Sequence, residues 1–450
     1  TRLGVITAKG RSRVEGMTQD FDFDVAVVGA GPAGSLAALR LAERGHSVVL
    51  VERGEAPGSK NLSGGVLYPY DLVKALPTFL SRAPLERSVT RHVTTCLQPD
   101  SDLSLDFSAD DLATGPRGAN AVTVLRARLD PWLAEQAEAA GAFLMPGMKV
   151  DALELHGRRV IGIRAADQVL RTRVVVAADG VNSFLARDAG LRPKPPTHHL
   201  AVGVKAVLTL DPQRIEDRFG VDAGQGAAHA VVGDATAGVA GGGFLYTNTS
   251  SLSVGLVLRL DDLVRSGHTA HELFERFLAH PGMRRYLAGA EMVEYGSHLV
   301  AEGGVSGVGE VVHDGLVLVG DAAGLTLNSG LVLRGMDLAV ASGLAAGDAV
   351  SQAITDGGVS ASGLAGYREA LAATTAVADL RTYAGAPEVF SRRGPYGPWG
   401  QTAADVLRAT YTLDGSPRLP LRTLARQALA RSGVRTTTWA QDAWKVVRSL

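Results

Sequence analysis

The stretch FDVAVVGAGPAGSLAALRLAERGHSVVLVER, residues 23–53, decides the fold of this chain. Its apolar residues 25–28 predict a buried strand, and residues 35–44, rich in Ala and Leu, predict a helix. The turn between them reads GAGPAG, and residues 47–51 predict a second strand. A strand, a glycine-rich turn, a helix and a strand in this order predict a βαβ unit with a dinucleotide-binding fingerprint in its first turn.

Each glycine of this fingerprint has its own physical role. Gly29 allows the tight turn, Gly31 lets the backbone approach a pyrophosphate, and Gly34 lets the helix pack closely on the strand. The pyrophosphate is expected at the helix N-terminus, where free N–H groups and the helix dipole favour negative charge. Glu52 ends the second strand and is placed to accept a hydrogen bond from a ribose hydroxyl. The stretch therefore predicts a bound dinucleotide, and both FAD and NAD fit it.

Composition bounds the class of protein. The chain has 450 residues, of which 46% are hydrophobic and 20% charged, as expected for a globular protein of two or three domains. The formal net charge of −1 gives no electrostatic basis for binding nucleic acid. Cys96 is the only cysteine, which excludes an internal disulfide and a cysteine-ligated iron–sulfur cluster and favours a reducing, cytoplasmic location. We expect residues 1–16 to be disordered or added to a native chain that begins at Met17.

The pattern of strands and helices predicts an α/β fold in separate domains. Residues 21–190 and 310–358 are expected to form one Rossmann-like cofactor-binding domain. It should include a helix over residues 130–140 with Asp130 as its N-cap, and a long helix over residues 334–355. Residues 195–305 show no βαβ alternation and predict an inserted, mainly antiparallel sheet that contacts the substrate. Residues 360–450 predict a helical region.

Three predicted strands end in acidic residues, and these residues favour FAD over NAD as the bound cofactor. Glu52, Asp179–Gly180 and Gly320–Asp321 should meet at the carboxyl edge of one sheet, where ligands of such folds bind. NAD needs only the first βαβ unit, whereas the flavin half of FAD needs anchors of its own. The Asp321 carboxylate can accept a hydrogen bond from the ribityl chain, and it is also expected to cap the helix that follows. We therefore predict FAD, extended along this edge.

Six further motifs resemble the FixC family, which is grouped with the electron-transfer-flavoprotein:quinone oxidoreductases and, more distantly, with the geranylgeranyl reductases. They are KNLSGG (60–65), VLRAR (124–128), ADGVNS (178–183), GGFLYTN (242–248), VGDAAG (319–324) and RGMDL (334–338). The similarity runs from about residue 21 to the C-terminus. It implies the FAD-binding fold of the glutathione reductase type, as in p-hydroxybenzoate hydroxylase.

The resemblance also implies which residues bind FAD. Gly29, Gly31, Gly34 and Glu52 would hold the ADP half, and Lys60, Asn61 and Gly65 would lie along the flavin. Arg126 would reach the ribose–phosphate region; the alternative role for this residue is a solvated charge at a strand end. Arg128 would be exposed. Gly320 and Asp321 would bind the ribityl–pyrophosphate part, and Gly330 with Leu331 would offer backbone groups to the pyrimidine edge. The complete predicted set adds Pro32, Ala33, Arg53, Gly64, Val150, Ala178, Asp179 and Gly180.

The substrate pocket is predicted between the flavin and the inserted sheet. Its candidate lining residues are Phe244, Tyr246, His298 and Asn328, and the last two are the candidate catalytic residues. For Phe244, Tyr246 and His298 the alternative is an ordinary core position, and for Asn328 a role in shaping its turn. No catalytic acid or base is assigned beyond these candidates, because in this family the flavin carries the redox step. No metal site is predicted.

The chain departs from the family in its cysteines. Thr326 stands where family members often carry a cysteine, and Cys96 lies outside the Pro-x-x-Cys element of geranylgeranyl reductases. The chain also lacks the cysteine-rich ferredoxin region of the mitochondrial quinone oxidoreductases. A separate ferredoxin-like partner would therefore have to supply any iron–sulfur centre.

Three activities agree with the resemblance. The first is an electron relay between an electron-transfer flavoprotein or ferredoxin and a quinone or small apolar acceptor. The second is a reductase or dehydrogenase acting on a C=C or C–N bond of a small metabolite, and the third is an NAD(P)H-dependent hydroxylase. The basic tail, residues 418–448, predicts either a solvated amphipathic helix or a surface for an electron-transfer partner or for peripheral contact with the inner face of a membrane.

Overall fold

The computed structural model describes residues 21–60, 64–115, 118–330, 332–390 and 397–449, so residues 1–16 lie outside the described part. Its strands form two large sheets and one small hairpin. The first sheet contains β1 (Phe23–Val28), β2 (Val48–Val51), β7 (Phe143–Met145), β8 (Ala152–His156), β9 (Arg159–Ala165), β10 (Gln168–Ala177), β16 (Val312–His313) and β17 (Leu316–Leu318). The second contains β3 (Gly65–Leu67), β4 (Leu85–Gln98), β5 (Ser101–Ser108), β6 (Val122–Val124), β11 (Leu200–Thr209), β12 (Gln225–Gly233), β13 (Gly241–Thr247), β14 (Ser251–Arg259) and β15 (Glu291–Ala301). The hairpin pairs β18 (Leu327–Asn328) with β19 (Leu333–Arg334).

Helices surround both sheets. The first half of the chain has α1 (Pro32–Glu43), α2 (Tyr70–Ala75), α3 (Phe79–Arg82), α4 (Asp111–Thr114), α5 (Arg126–Ala139), α6 (Phe184–Asp188) and α7 (Pro212–Phe219). The second half has α8 (Leu260–Ser266), α9 (Ala270–Ala279), α10 (Pro281–Leu287), α11 (Gly304–Gly307) and α12 (Met336–Thr355). The C-terminal region has α13 (Gly366–Ala372), α14 (Thr375–Thr382), α15 (Ala386–Phe390), α16 (Pro398–Tyr411), α17 (Leu421–Arg431) and α18 (Thr436–Ser449).

The first sheet brings the predicted strand ends together. Its order is β16-β17-β10-β1-β2-β7, and the strands from β17 to β7 run parallel. Val51, Val28, Ala177 and Leu318 stand opposite one another in register at the carboxyl ends of four neighbouring strands. The residues that follow these four positions therefore share one edge of the sheet, which confirms the predicted α/β fold and the predicted convergence of its loops.

Close packing of two helices fixes this edge. Helix α1 crosses α12, and a Cβ atom at Gly343 would lie only 2.2 Å from the carbonyl oxygen of Ala33. In the turn after β17, the Gly320 N–H donates a 2.9 Å hydrogen bond to the Ser342 hydroxyl. A Cβ atom at Gly320 would lie 2.9 Å from the Cβ atom of Ala33. The turns after β1 and β17 are thus in direct contact, although nearly 300 residues separate them in the sequence.

The second sheet has one packed face and one open face. Its order is β15-β11-β14-β13-β12-β4-β6-β3, and all of these pairs are antiparallel except β12 with β4. Along β11, Val204, Ala206 and Leu208 pack into a core with Phe274 and Phe277 of α9. The alternate residues of β11 point the other way, because side chains alternate across a strand.

The predicted boundary of the first domain is wrong for four strands. Strands β3, β4, β5 and β6 precede residue 190 but belong to the second sheet, where β4 pairs with β12. The pairing of β4 with β12 is parallel and joins segments more than 100 residues apart. The second sheet is therefore built from two separate parts of the chain.

The predicted start of the helix at Asp130 is also wrong. Helix α5 begins at Arg126, and Pro131 lies inside it. Asp130 is fully buried in the second turn, where both of its carboxylate oxygens lie 2.7 Å from the Arg126 guanidinium. This i,i+4 pair replaces the expected cap, and it places Arg126 at the first turn of a helix.

Candidate cofactor and substrate site

The turn after β1 has no room for side chains. A Cβ atom at Gly34 would lie 1.9 Å from the Gly29 carbonyl oxygen, and one at Gly29 would lie 2.3 Å from the Ala178 carbonyl oxygen. Helix α1 begins at Pro32, and its N-cap Gly31 offers no side chain to the free N–H groups of the first turn. These groups, with Ala33 and Gly34 among them, are left for an anion such as a pyrophosphate.

Glu52 stabilises this turn. Its Oε2 accepts a 3.0 Å hydrogen bond from the Ala30 N–H, and its Oε1 accepts a 2.7 Å bond from the Gly54 N–H. A carboxylate has about four acceptor positions, so this arrangement leaves room for the predicted ribose hydroxyl. Glu52 is thus both a structural residue and a candidate ligand of the cofactor.

Asp321 offers an unpaired carboxylate to the same edge. The short 3₁₀ helix Gly320–Ala323 has Val319 as its N-cap and no side-chain cap, so the expected capping role of Asp321 is wrong. Within the described ranges, the Asp321 carboxylate has no hydrogen-bond or ion-pair partner. Burial raises the pKa of Asp321, while Arg126 and Lys205 act in the opposite direction. Such a carboxylate needs external donors, and the hydroxyl groups of a ribityl chain are suitable ones.

Arg126 lies beside the glycine turn rather than in solvent. A Cβ atom at Gly31 would lie 3.4 Å from the Arg126 Nη2 atom. Burial acts to lower the pKa of Arg126, but Asp130, Asp321 and Glu52 together outweigh it and raise the pKa. Arg126 therefore stays a cation that faces both acidic strand ends, as a phosphate group requires.

Asp179 and Gly180 add further polar groups to this edge of the first sheet. The Asp179 Oδ2 atom accepts a 3.1 Å hydrogen bond from the Leu185 N–H, whereas Oδ1 is buried and without a partner among the described atoms. Burial raises the pKa of Asp179. A Cβ atom at Gly180 would meet nothing within 4 Å, so the backbone there borders open space.

The structure places the other predicted cofactor residues at different distances from this edge. Arg53 and Lys60 are exposed in the loop after β2, and Val150 is half-buried. A Cβ atom at Gly64 would lie 1.8 Å from the Ser253 hydroxyl, so the loop contacts the second sheet. Asn61 and Leu331 lie outside the described residues. Arg128 is exposed as predicted and pairs with Glu86 at 3.0 Å.

The open face of the second sheet carries the predicted substrate residues. Phe244, Tyr246 and His298 all lie on it. In the cross-strand register, they align with Lys205, Val207 and Gly203 of β11, respectively, and these three residues face away from the packed core. The rings of Phe244 and Tyr246 stack at 4.9 Å with an angle of 19° between planes. Burial lowers the pKa of His298, and Lys205, Arg126 and Arg53 lower it further, so this ring faces the charged edge of the first sheet.

Asn328 faces a carboxyl group that the sequence analysis missed. Its Nδ2 atom donates a 3.2 Å hydrogen bond to Glu302 Oε1, and its Oδ1 atom accepts a 2.9 Å bond from the Gly330 N–H. Burial raises the pKa of Glu302. Both residues line a cavity with Arg259, His198 and Tyr383. Asn328 therefore shapes the β18–β19 turn and connects it to this polar cavity.

Lys205 is the second residue that the sequence analysis missed. It is the single charge in the otherwise apolar run AVGVKAVLTL of residues 201–210, and that isolation was the available signal. Lys205 lies on the open face, and burial lowers its pKa to about 8. The site thus combines the carboxylates of Glu52 and Asp321 and the cations of Arg126 and Lys205 with the aromatic pair on the open face of the second sheet.

Comparisons with known proteins agree with this geometry. A family model described as FAD dependent oxidoreductase (DAO) matches residues 24–107. The chain is 43% identical over 403 residues to the probable electron transfer flavoprotein-quinone oxidoreductase YdiS of Escherichia coli K12, covering 90% of this chain and 94% of that protein. It is 38% identical over 406 residues to the protein FixC of Salmonella typhi, again covering 90% of this chain and 94% of that protein.

Solved structures show the same fold at lower identity. A geranylgeranyl bacteriochlorophyll reductase-like protein from Thermoplasma acidophilum matches with a TM-score of 0.67 and 21% identity, covering 93% of this chain and 98% of that one. The myxobacterial FAD-dependent halogenase CndH matches with a TM-score of 0.62 and 17% identity, covering 91% of this chain and 97% of that one. FAD is therefore the cofactor, and the predicted fold class is confirmed.

Proposed function

Because the chain belongs to the family of FixC and the electron transfer flavoprotein-quinone oxidoreductases, we propose that it relays electrons from a reduced electron-transfer flavoprotein to a quinone. The relative at 43% identity over 90% of the chain is the observation that carries this proposal. The bound FAD supplies the redox step. The protein's part is to bind that cofactor along the edge of the first sheet and to expose its reactive ring to the open face of the second sheet.

The named residues divide this task. The open N-terminus of α1 and the Arg126 guanidinium favour the pyrophosphate, and Asp321 accepts hydrogen bonds from the ribityl hydroxyl groups. Phe244 and Tyr246 form an apolar wall where a planar acceptor can stack. An aromatic wall of this kind would suit the flat ring of a quinone.

Iron–sulfur chemistry would have to come from a second protein. The sequence holds a single cysteine, Cys96, and burial raises its pKa. Among the residues that the structure describes, no group of three or more His, Cys, Asp or Glu side chains is arranged to hold a metal ion. A ferredoxin-like partner therefore suits the relay better than a centre held by this chain.

A peripheral membrane contact through the C-terminal region forms part of the proposal. None of the described helices is long and apolar enough to cross a bilayer. At the end of α16 and just after it, however, Tyr411 and Leu413 are 79% and 77% exposed, and Arg408, Arg418 and Arg422 are near them in the sequence. Exposed apolar side chains among arginines suit an anionic membrane surface. Co-sedimentation with vesicles containing phosphatidylglycerol, compared for the wild type and a Tyr411→Ser/Leu413→Ser variant, tests this contact.

The relay is tested by rapid mixing under anaerobic conditions. Reduced electron-transfer flavoprotein should bleach the bound flavin far faster than NADPH does, and a soluble quinone should then restore the absorbance. A flavin that reduced electron-transfer flavoprotein leaves oxidised would contradict the relay. NADPH oxidation coupled to oxygen and to a hydroxylated product would instead support the hydroxylase.

A further inference from the structure

Lys205 stands among glycines on the open face of the second sheet. In register it faces Gly255 of β14 on one side and Gly296 of β15 on the other. Two residues earlier in β11, a Cβ atom at Gly203 would lie 3.8 Å from the Lys205 Cε atom. The lysine side chain therefore lies along the sheet above Gly203, whereas the Phe244 ring covers Gly255.

The ammonium group of Lys205 lies between two candidate substrate residues. Its Nζ atom is 6.0 Å from the centre of the Phe244 ring. On the other side is Gly203, which is the register partner of His298. Within the described part of the chain, the ammonium has no hydrogen-bond or ion-pair partner. Apart from the Phe244 ring, the described residues give this half-buried ammonium no partner, so a ligand that carries an acceptor oxygen would stabilise it.

The groups around Lys205 come from four elements. They are His298 of β15, Tyr246 of β13, Arg126 of α5 and Asp321 of the turn after β17. Burial and Arg126 lower the pKa of Lys205, and Asp321 raises it, with a result of about 8. At neutral pH the group is therefore mostly protonated, and its charge is only partly balanced.

We propose that Lys205 binds the oxygen of a planar, oxygen-bearing acceptor whose ring lies against Phe244 and Tyr246. The inference rests on the proposed function and narrows the class of acceptor. An acceptor with only a hydrocarbon double bond would leave the ammonium unpaired. A quinone ring combines a flat apolar body with carbonyl oxygens at its edge. Lys205 thus selects acceptors that gain negative charge on oxygen.

The charge balance of the transfer agrees with this role. A quinone that accepts two electrons and one proton from the reduced cofactor becomes a hydroquinone monoanion, while the cofactor is oxidised. The new negative charge resides on a ring oxygen, where the Lys205 ammonium can neutralise it without moving. The second proton enters from solvent when the product leaves.

Binding of a redox-inert anion tests the proposal on the oxidised holoprotein. The probes are benzoate and its neutral isostere benzamide, and the readout is the change in flavin absorbance. In the wild type, benzoate should bind at least about tenfold more tightly than benzamide, as expected for one charge-assisted contact. In Lys205→Met, benzoate affinity should fall to that of benzamide. In Lys205→Arg, it should largely recover.

Further measurements separate this role from others. Benzoate affinity in the wild type should decline as the pH rises through about 8. The Lys149→Met substitution, which alters an exposed lysine, should leave benzoate affinity unchanged. Three results would overturn the proposal: no saturable benzoate signal in the wild type, unchanged benzoate affinity in Lys205→Met, or a folded Lys205→Met protein that no longer retains FAD. Lysine-dependent benzoate binding in a protein that reduced electron-transfer flavoprotein does not bleach would preserve the site and contradict the relay alone.

Discussion

Replacing Asp321 with Asn should weaken FAD binding and stabilise the apoprotein. No described residue pairs with this carboxylate, and burial raises its pKa, so its negative charge at neutral pH destabilises the folded apoprotein. Asparagine has nearly the same shape and no charge. Asp321 is half-buried rather than fully buried, so we expect a gain of about 1 kcal/mol, at the low end of the cost of a buried unsatisfied group.

The effect on cofactor affinity has the opposite sign. We propose that in the holoprotein the Asp321 carboxylate accepts hydrogen bonds from ribityl hydroxyl groups. A hydrogen bond to a charged group contributes about 1.5–3 kcal/mol, so the Kd for FAD should increase about 10- to 150-fold in Asp321→Asn. A purely structural aspartate would not produce opposite changes in stability and affinity.

The pH dependence of stability gives a second signature. The pKa of Asp321 is higher in the folded apoprotein than its ordinary value of 3.8, so the folded state binds more protons than the unfolded state above that pH. The contribution of Asp321 to stability is therefore complete below pH 3.8 and is lost as the pH rises through the higher folded-state pKa. The difference in the free energy of unfolding between the Asp321→Asn and wild-type apoproteins should therefore grow as the pH rises over the same interval.

Two assays decide this prediction. Quenching of flavin fluorescence during titration of the apoprotein gives the Kd, and urea unfolding of the apoprotein at several pH values gives the free energy of unfolding. Asp167→Asn, at an exposed turn position, is the matched control and should change neither quantity. An Asp321→Asn apoprotein that is less stable than the wild type, or that binds FAD equally well, would refute the reasoning.

Three further substitutions have defined outcomes. Gly34→Ala places a Cβ atom 1.9 Å from the Gly29 carbonyl oxygen, so the purified protein should lack flavin absorbance. Tyr367→Phe removes a buried 2.9 Å hydrogen bond to the Leu318 carbonyl oxygen and should lower the free energy of unfolding in urea by about 1 kcal/mol. Burial lowers the pKa of His229 from 6.5 to about 4, so stability should fall as the pH drops through this interval. The loss should be on the order of 3 kcal/mol and should be absent from His229→Phe.

Each of these variants has a control of the same kind. Gly45→Ala alters a glycine with φ of +84° and nothing within 4 Å of a Cβ atom, so the flavin should be retained. Tyr411→Phe removes a hydroxyl from a residue that is 79% exposed and should leave stability unchanged. His156→Phe, at an exposed position, should keep the acid sensitivity of the wild type. Equal behaviour of a variant and its control would contradict the corresponding prediction.

The first sheet could be predicted because local sequence determines it. Buried parallel strands are continuous apolar runs, and the close contact between Gly34 and the Gly29 carbonyl oxygen lies within one βαβ unit. Helix α9, Ala270–Ala279, is likewise determined by local sequence. Its boundary is set by the Thr269–Glu272 capping box, in which each side chain binds the backbone of the other residue.

The second sheet was less predictable because its pairing is non-local. Nothing in the sequence of β4 indicates that it pairs with β12 rather than with the first sheet. Which face of a strand is open depends on register, and Lys205 could be placed opposite the cofactor edge only once β11 was paired on both sides. The Arg126–Asp130 pair likewise overrode the cap that the local sequence favours.

The contact between α1 and α12 has a consequence for the architecture of the whole protein. Ala33 and Gly343 lock together two pieces of backbone from opposite ends of the cofactor domain, and the second sheet is carried by the chain that lies between them. Within that intervening chain, strands β11–β15 can accept substitutions without disturbing the contact, whereas Glu52, Arg126 and Asp321 are candidate ligands of the cofactor. The contact keeps the two ends of the cofactor domain in a fixed arrangement, and the second sheet lies apart from it. Strands β11–β15 can therefore change in evolution while the contact between α1 and α12 is kept.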